Sequence, residues 1–369
     1  MKTVPLKSFK HFSTKIKPDY ENFIRCILLR QGEPARVYFA ELFLDPEMHD
    51  AVAERFNLMN GVNKKDPYFA ERKKIAVMHF LGYDTVEVWP EGLDLSRSSR
   101  TSHDTSEYQV RQGGRTWVEQ HKGLIQTWED FEKFPWPDPS SFKNEPVLWM
   151  AKNLPDGMCL SGRSGGIFEA VSFIFGYETL CYKLHDDRDL VFAVRDKIFE
   201  IEQAKAEFLL SLDVVKYMFP SDDLGFRSGL LASPQDIRDL SLTCYKKIVE
   251  KWHNAGRPVA FHTCGQKNLI YKDLMDHVKI DAIHSFEDTI EQVTDTKRQY
   301  GNRLAILGGI DVDFLCRNDA SAIRKRVRET LEICQPGGGY ALGTGNTVAN
   351  YIPLDNYLTM LDEGRLWKS

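Results

Sequence analysis

From about Met158 onward the chain repeats one pattern, a short apolar run of strand type followed by an amphipathic helical stretch. The runs are Met158–Ser161, Val214–Phe219, Val259–His262, Ala282–Phe286, Leu304–Leu307 and Tyr340–Leu342. Helical spacing fills 187–210, 234–254, 266–277, 288–299, 319–334 and 353–362. Two earlier runs, Arg36–Glu41 and Thr85–Trp89, bring the strands to eight. Strands that alternate with helices run parallel, because each crossover returns the chain to the same end of the sheet. Eight such units predict an α/β fold closed as a (β/α)8 TIM barrel. An open doubly wound sheet is the alternative, but it would normally carry a glycine-rich phosphate turn after its first strand. None follows Glu41.

Two additions to the barrel are expected. Phe23, Ile24, Ile27 and Leu28 stand at helical spacing before the break at Gly32-Glu33-Pro34, so residues 18–31 predict an N-terminal helical extension. A further, mostly helical stretch is expected from Asp45 to Leu81. Residues from about 90 to 150 lose the period. Gly113-Gly114 ahead of Thr116-Trp117-Val118 predicts a hairpin, and Phe134-Pro-Trp-Pro-Asp-Pro139 forces an extended path. This is an insertion after the second strand, a structural flap or a lid, within one domain spanning 1–369. A chain of 369 residues, 42 % hydrophobic, suits a barrel with such insertions.

Charge and cysteine usage exclude several classes. A net charge of −5 with lysine and arginine spread along the chain offers no basic stripe for nucleic acid or an anionic membrane. No apolar run approaches the roughly 18 residues of a membrane span. Met1 to Lys17 is basic and lacks the continuous apolar segment of a signal peptide. Seven scattered cysteines do not form a disulfide framework, so a reducing, cytoplasmic setting is expected.

Chemistry in such barrels gathers where strands end. The strand ends here carry Glu41, Trp89 and Glu91, Ser221-Asp222-Asp223, His262 and Cys264, Glu287-Asp288, Gly308-Gly309 with Asp311 and Asp313, and Gly343-Thr344-Gly345-Asn346. His262 and Cys264 are i and i+2 of an extended chain and so face one side, where both can reach a single cation. The plain alternative is a satisfied core histidine beside a buried thiol. Zinc favours such ligands and needs about three in a catalytic site. Glu287, at the end of the next strand, is expected as the third. His284, three residues before Glu287, is expected to face the helices, and Cys316 and Cys334 to serve packing. Of the adjacent Asp222 and Asp223, one can cap a helix while the other enters the mouth as a proton acceptor or ligand, with Asp223 expected inward. Phe39, Trp89, Phe168 and Phe226 could hold a flat ring there, or be core.

These elements resemble the uroporphyrinogen decarboxylase-like superfamily, and within it the corrinoid-dependent methyltransferases. The resemblance rests on Glu21-Asn-Phe-Ile-Arg25, Pro34-Ala-Arg-Val37, Trp128-Glu-Asp-Phe-Glu-Lys-Phe-Pro-Trp-Pro137 and Gly165-Gly-Ile-Phe-Glu169. It continues through Ser221-Asp-Asp-Leu-Gly225, Phe261-His-Thr-Cys-Gly265, Leu307-Gly-Gly-Ile-Asp311 and Gly339-Tyr-Ala-Leu-Gly-Thr-Gly-Asn346. It implies a barrel with zinc held by His262, Cys264 and a later cysteine that activates a thiol such as coenzyme M. That cysteine is missing, with Ala341 and Thr344 where it is expected. The related cobalamin-independent methionine synthases use a glutamate instead, at the place of Glu287. The arginine-rich substrate loop of the decarboxylases is also absent, since Leu42-Phe-Leu-Asp-Pro46 follows the first strand.

The remaining branch implies an O-demethylase methyltransferase that moves a methyl group from a methoxylated aromatic to cob(I)alamin. No Asp-x-His-x-x-Gly element is present to bind a corrinoid, so the corrinoid is expected on a partner protein. Asp222 or Asp223 would relay a proton. A methylcobalamin-to-thiol methyltransferase, a decarboxylase of a smaller acid and a non-catalytic scaffold for the corrinoid protein are the competing readings.

Overall fold

The structure is a computed structural model that describes Phe9, Phe12, residues 15–93, Leu95, the strands Ser99–Thr101 and Thr116–Val118, and residues 123–367. Its parallel strands are β1 (Thr85–Val88), β2 (Cys159–Gly162), β3 (Val215–Met218), β4 (Ala260–His262), β5 (Ala282–His284), β6 (Ala305–Leu307) and β7 (Tyr340–Ala341). They neighbour one another in chain order, β1-β2-β3 and β4-β5-β6-β7. A parallel bridge from Met218 to Val259 joins the two runs, and one from Phe39 to Leu342 adds the segment around Phe39 as the eighth stave. No reversal of strand order occurs, which rules out the doubly wound sheet. The fold is a (β/α)8 barrel. The seam between the Phe39 segment and β1 carries no backbone hydrogen bond among the described residues. Side chains hold it instead: Tyr83 packs 5.9 Å from the Phe39 ring, and Arg36 pairs with the buried Asp84 at 2.6 Å.

Alternation along the strands decides what enters the barrel. Ala260, Ala282 and Ala305 pack inward with Tyr38, Tyr217 and Leu307, while Phe261, Ile283 and Ile306 join the core beneath the helices. The three alanines leave room at the floor. Phe23, Ile27 and Leu28 fill it from the N-terminal extension, a short helix Tyr20–Asn22 that continues as π-helical Phe23–Leu28. One step up the same inward faces stand His262 on β4 and His284 on β5.

The helices form as their apolar spacing dictates. Arg188–Leu210 buries Leu190, Val191, Val194, Ile198 and Ile201 on one stripe, and truncating one such side chain to alanine would cost about 2–5 kcal/mol. Thr243–Asn254, Ala320–Cys334 and Leu354–Leu366 cover further strands. The helix expected over 266–277 shrinks to π-helical Asp273–Val278. Its first part is held back because buried Lys267 is drawn inward to the Ser285 carbonyl and to Glu291, both at 2.8 Å.

The excursion after β1 holds an antiparallel pair, Ser99–Thr101 with Thr116–Val118, and the helices Trp128–Lys133 and Glu145–Asn153. Gly113-Gly114 lies outside the described residues. No described helix is long and apolar enough to cross a membrane.

Candidate metal centre

The chain leaves β4 through Thr263, Cys264 and Gly265. Gly265 sits at φ +75°, and a Cβ there would meet the Gly225 carbonyl carbon at 2.3 Å. A Cβ on Gly225 would in turn lie 2.6 Å from the Gln266 oxygen. Two bare glycines therefore let the loops after β3 and β4 touch, sealed by the Gln266 amide donating to the Phe226 carbonyl at 2.9 Å. That contact sets Cys264 opposite Asp223, whose Oδ1 accepts the Cys264 amide at 3.2 Å.

His262, only 3 % exposed, brings Nε2 to 3.3 Å from Cys264 Sγ and 3.7 Å from Asp223 Oδ1. The ligand atoms of Asp223, His262 and Cys264 all lie within 4.8 Å of one another. A hydrogen-bond chain behind the imidazole decides its tautomer. His284 Nε2 lies 3.1 Å from the Thr344 carbonyl, which can only accept, so that nitrogen carries the proton. Burial, with Arg163 and Lys267 nearby, pushes His284 down to about 3 and keeps it neutral, leaving Nδ1 bare. His262 Nδ1, 2.7 Å away, must therefore donate to it. Burial first, then His284, also holds His262 well below its ordinary pKa. Its Nε2 lone pair consequently points at the thiol and the carboxylate.

Burial and then Asp223 push the Cys264 thiol up, so it stays protonated at neutral pH unless a cation compensates the thiolate. Asn346, from the loop after β7, brings Nδ2 to 3.3 Å from Sγ, and Ser285 Oγ lies at 3.9 Å. A neutral imidazole, a thiol and a carboxylate in one cluster match the donor preferences of a three-ligand zinc site.

Several expected positions differ from this arrangement. His284 faces the barrel interior, not the helices, because it shares the inward parity of Ala282; β5 ends at His284, so alternation does not carry on to Glu287. Glu287 lies outside the three-residue group. It lines a cavity of about 860 Å³ with Asp288, Asp311, Asp313 and Asn346, and burial followed by Asp311 raises its carboxyl pKa. Asp222 is fully buried and turned away, accepting from the Phe168 and Glu169 amides at 3.0 and 2.9 Å and from Ser241 Oγ at 2.7 Å. It caps the helix Ile167–Phe175. Phe39 and Phe168 are core residues, Phe39 because it alternates with the inward Tyr38 and Ala40. Trp89 and Phe226 are exposed, Phe226 on a small hairpin with Gly225 and Trp89 on a separate cavity beside β1.

The uroporphyrinogen decarboxylase (URO-D) family model matches residues 113–366. The chain belongs to that family. By structure it is similar to a methyltransferase from Methanosarcina mazei, with 15 % identity, a TM-score of 0.67, and coverage of 95 % of this chain and 98 % of that one. That likeness establishes the barrel. A rutinosidase from Aspergillus niger (9 % identity, TM-score 0.40, 92 % and 99 % covered) and a uronate isomerase from Bacillus halodurans (11 %, 0.36, 88 % and 63 %) overlap too loosely to carry an argument. No curated protein matches the chain by sequence. Buried Arg163 is committed to the scaffold, donating to the carbonyls of Glu41 at 3.0 Å and Phe219 at 3.3 Å with its guanidinium 3.9 Å above the Phe219 ring.

Proposed function

We propose that this chain is a methyltransferase that takes a methyl group from a methoxylated aromatic and passes it to the cob(I)alamin of a separate corrinoid protein. The observation that carries the reading is the His262 Nε2 lone pair aimed at Cys264 and Asp223. These three residues would hold zinc, with Asp223 in the place expected for Glu287. A zinc ion bound there would supply Lewis acidity for an ether oxygen.

An aryl methyl ether resists cleavage because its leaving group is a phenolate. In the overall exchange the O–CH3 bond breaks, both its electrons stay on oxygen, a Co–CH3 bond forms from the cob(I)alamin electron pair, and the phenolate takes a proton. Glu287, whose carboxyl pKa burial raises, lines the same cavity as Asn346, the residue that contacts the Cys264 thiol, and in its protonated form would deliver that proton. His284 keeps His262 in the ligand tautomer, Asn346 holds the thiol through its amide, and the barrel orients the ether.

Two features favour this reading over its family alternatives. The later cysteine of a coenzyme M type enzyme is absent, with Ala341 and Thr344 where it is expected, and the Asp223 carboxylate in its stead would donate less charge to zinc than a thiolate, leaving a stronger Lewis acid for a neutral oxygen. The cavity lining of Glu287, Asp288, Asp311 and Asp313 against Arg317 would repel the polycarboxylate substrate of a decarboxylase. The test is to mix the protein with a reduced corrinoid protein from the same organism and 2-methoxyphenol, and to follow the cobalt spectrum. Methylcobalamin formation is expected. No formation with any methoxylated aromatic, together with methylcobalamin consumption by a thiol, would move the assignment to the thiol methyltransferases.

A further inference from the structure

A second cavity, of about 670 Å³, opens beside the end of β1 between the helices Pro46–Arg55, Phe69–Leu81 and Glu145–Asn153. It shares no lining residue with the Cys264 group. Its volume is that of a small-molecule pocket. Phe43, Trp89, Val147 and Met150 contribute apolar wall, enough to enclose a single ring.

Two polar groups on this cavity have no partner. His49 is 6 % exposed, and neither of its ring nitrogens makes a hydrogen bond. Burial holds its pKa at about 4, so at neutral pH the ring offers one donor and one acceptor. Glu71 Oε2 is likewise buried and unpartnered. A buried polar atom without a partner is costly, by about 1–3 kcal/mol, and two on one cavity point to a ligand that completes them. The other charges are already compensated. Lys73 pairs with Asp50, and Lys74 with Glu87 at 3.0 Å, whereas Glu71 and Glu91 have no cation paired with them among the described residues. The lining is therefore net negative and unfavourable to an anion.

We propose that this cavity is a binding site, separate from the metal centre, for an uncharged hydroxyl-bearing aromatic molecule. The hydroxyl meets one need of each group, because it donates to the Glu71 carboxylate and accepts from the protonated His49 nitrogen. The ring lies against Phe43 and Met150, with Trp89 at the rim. This site does not depend on the methyl-transfer reading.

The test is calorimetric titration of the full chain with phenol, toluene and benzoate, without any corrinoid protein. Phenol should bind, toluene about tenfold more weakly or worse for want of the hydroxyl, and benzoate not measurably. Glu71→Gln should weaken phenol about tenfold, Val147→Trp should abolish this binding by filling the cavity, and Cys264→Ser should leave it intact. Unchanged melting temperatures confirm that the variants fold, and Glu71→Gln, which scarcely alters side-chain volume, keeps the test open if Val147→Trp does not. No phenol binding to the wild type would overturn the proposal and leave the cavity to water. Phenol binding lost in Cys264→Ser but indifferent to Glu71→Gln would overturn it equally, by placing the ligand in the metal centre.

Discussion

The two imidazoles of His262 and His284 face each other Nδ1 to Nδ1 at 2.7 Å, and the far nitrogen of His284 rests 3.1 Å from the Thr344 carbonyl. A carbonyl cannot donate, so one proton assignment satisfies the chain, and it bares His262 Nε2 toward Cys264. A ligand histidine whose other nitrogen is held in this way is oriented and made more basic.

Metal analysis of the purified protein should find about one zinc per chain, and Cys264→Ser should lose it. His284→Phe keeps the ring volume but removes the acceptor for His262 Nδ1. Zinc affinity in that variant should drop about 10–100-fold in chelator competition. Equal affinity in His284→Phe and wild type would remove the tautomer argument.

Asn346→Cys would set a second thiolate beside Cys264, whose sulfur the Asn346 amide nitrogen now contacts at 3.3 Å. We expect tighter zinc binding, by at least about tenfold, and slower methyl transfer from an ether as thiolate donation reduces Lewis acidity. Faster ether turnover in this variant would contradict the proposed role of Lewis acidity.

The adjacent aspartates should separate cleanly. Asp223→Asn removes a charged ligand, so zinc content and turnover should fall with little change in melting temperature. Asp222→Asn replaces a buried acceptor of three hydrogen bonds, and should cost about 1–3 kcal/mol in a denaturant titration. If Asp222→Asn leaves stability intact while Asp223→Asn unfolds the chain, the two roles are reversed.

Glu41 is fully buried among Thr344 and Tyr83, and burial pushes its pKa up to about 8 despite their hydrogen bonds. The folded chain thus prefers the protonated acid. Its contribution to stability is complete below the ordinary glutamate pKa of about 4.3 and is lost as pH rises through about 8. Glu41→Gln mimics the neutral form, so its stability should vary less than wild type over that window, as thermal melts at matched ionic strength would report. A wild-type slope equal to that of Glu41→Gln would mean that Glu41 does not titrate there.

Much of this molecule was legible in the chain. Strand positions from Val214 to Leu342 follow from short apolar runs between amphipathic stretches, since burial on both faces of a parallel strand leaves that signature. The pairing of His262 with Cys264 was legible for the same local reason, two residues on one side of an extended segment. His284 was not, because counting back from Glu287 assumed that the strand continued past the point where β5 ends. Nor did any local pattern mark Asn346, whose amide reaches Cys264 across 82 residues of chain.

The sequence by itself determined the periodic elements, the barrel class and the presence of a thiol and an imidazole on one strand end, because spacing and side-chain type are local properties. The tertiary structure alone decided which carboxylate joins them. Asp222 and Asp223 are chemically identical neighbours, and only the close approach of Gly225 to Gly265 turns Asp223 toward the Cys264 amide while the start of the helix Ile167–Phe175 captures Asp222. The same holds for the His262 tautomer, set by a carbonyl on another stave. Such selections depend on distances between segments far apart in the chain, which no local spacing encodes.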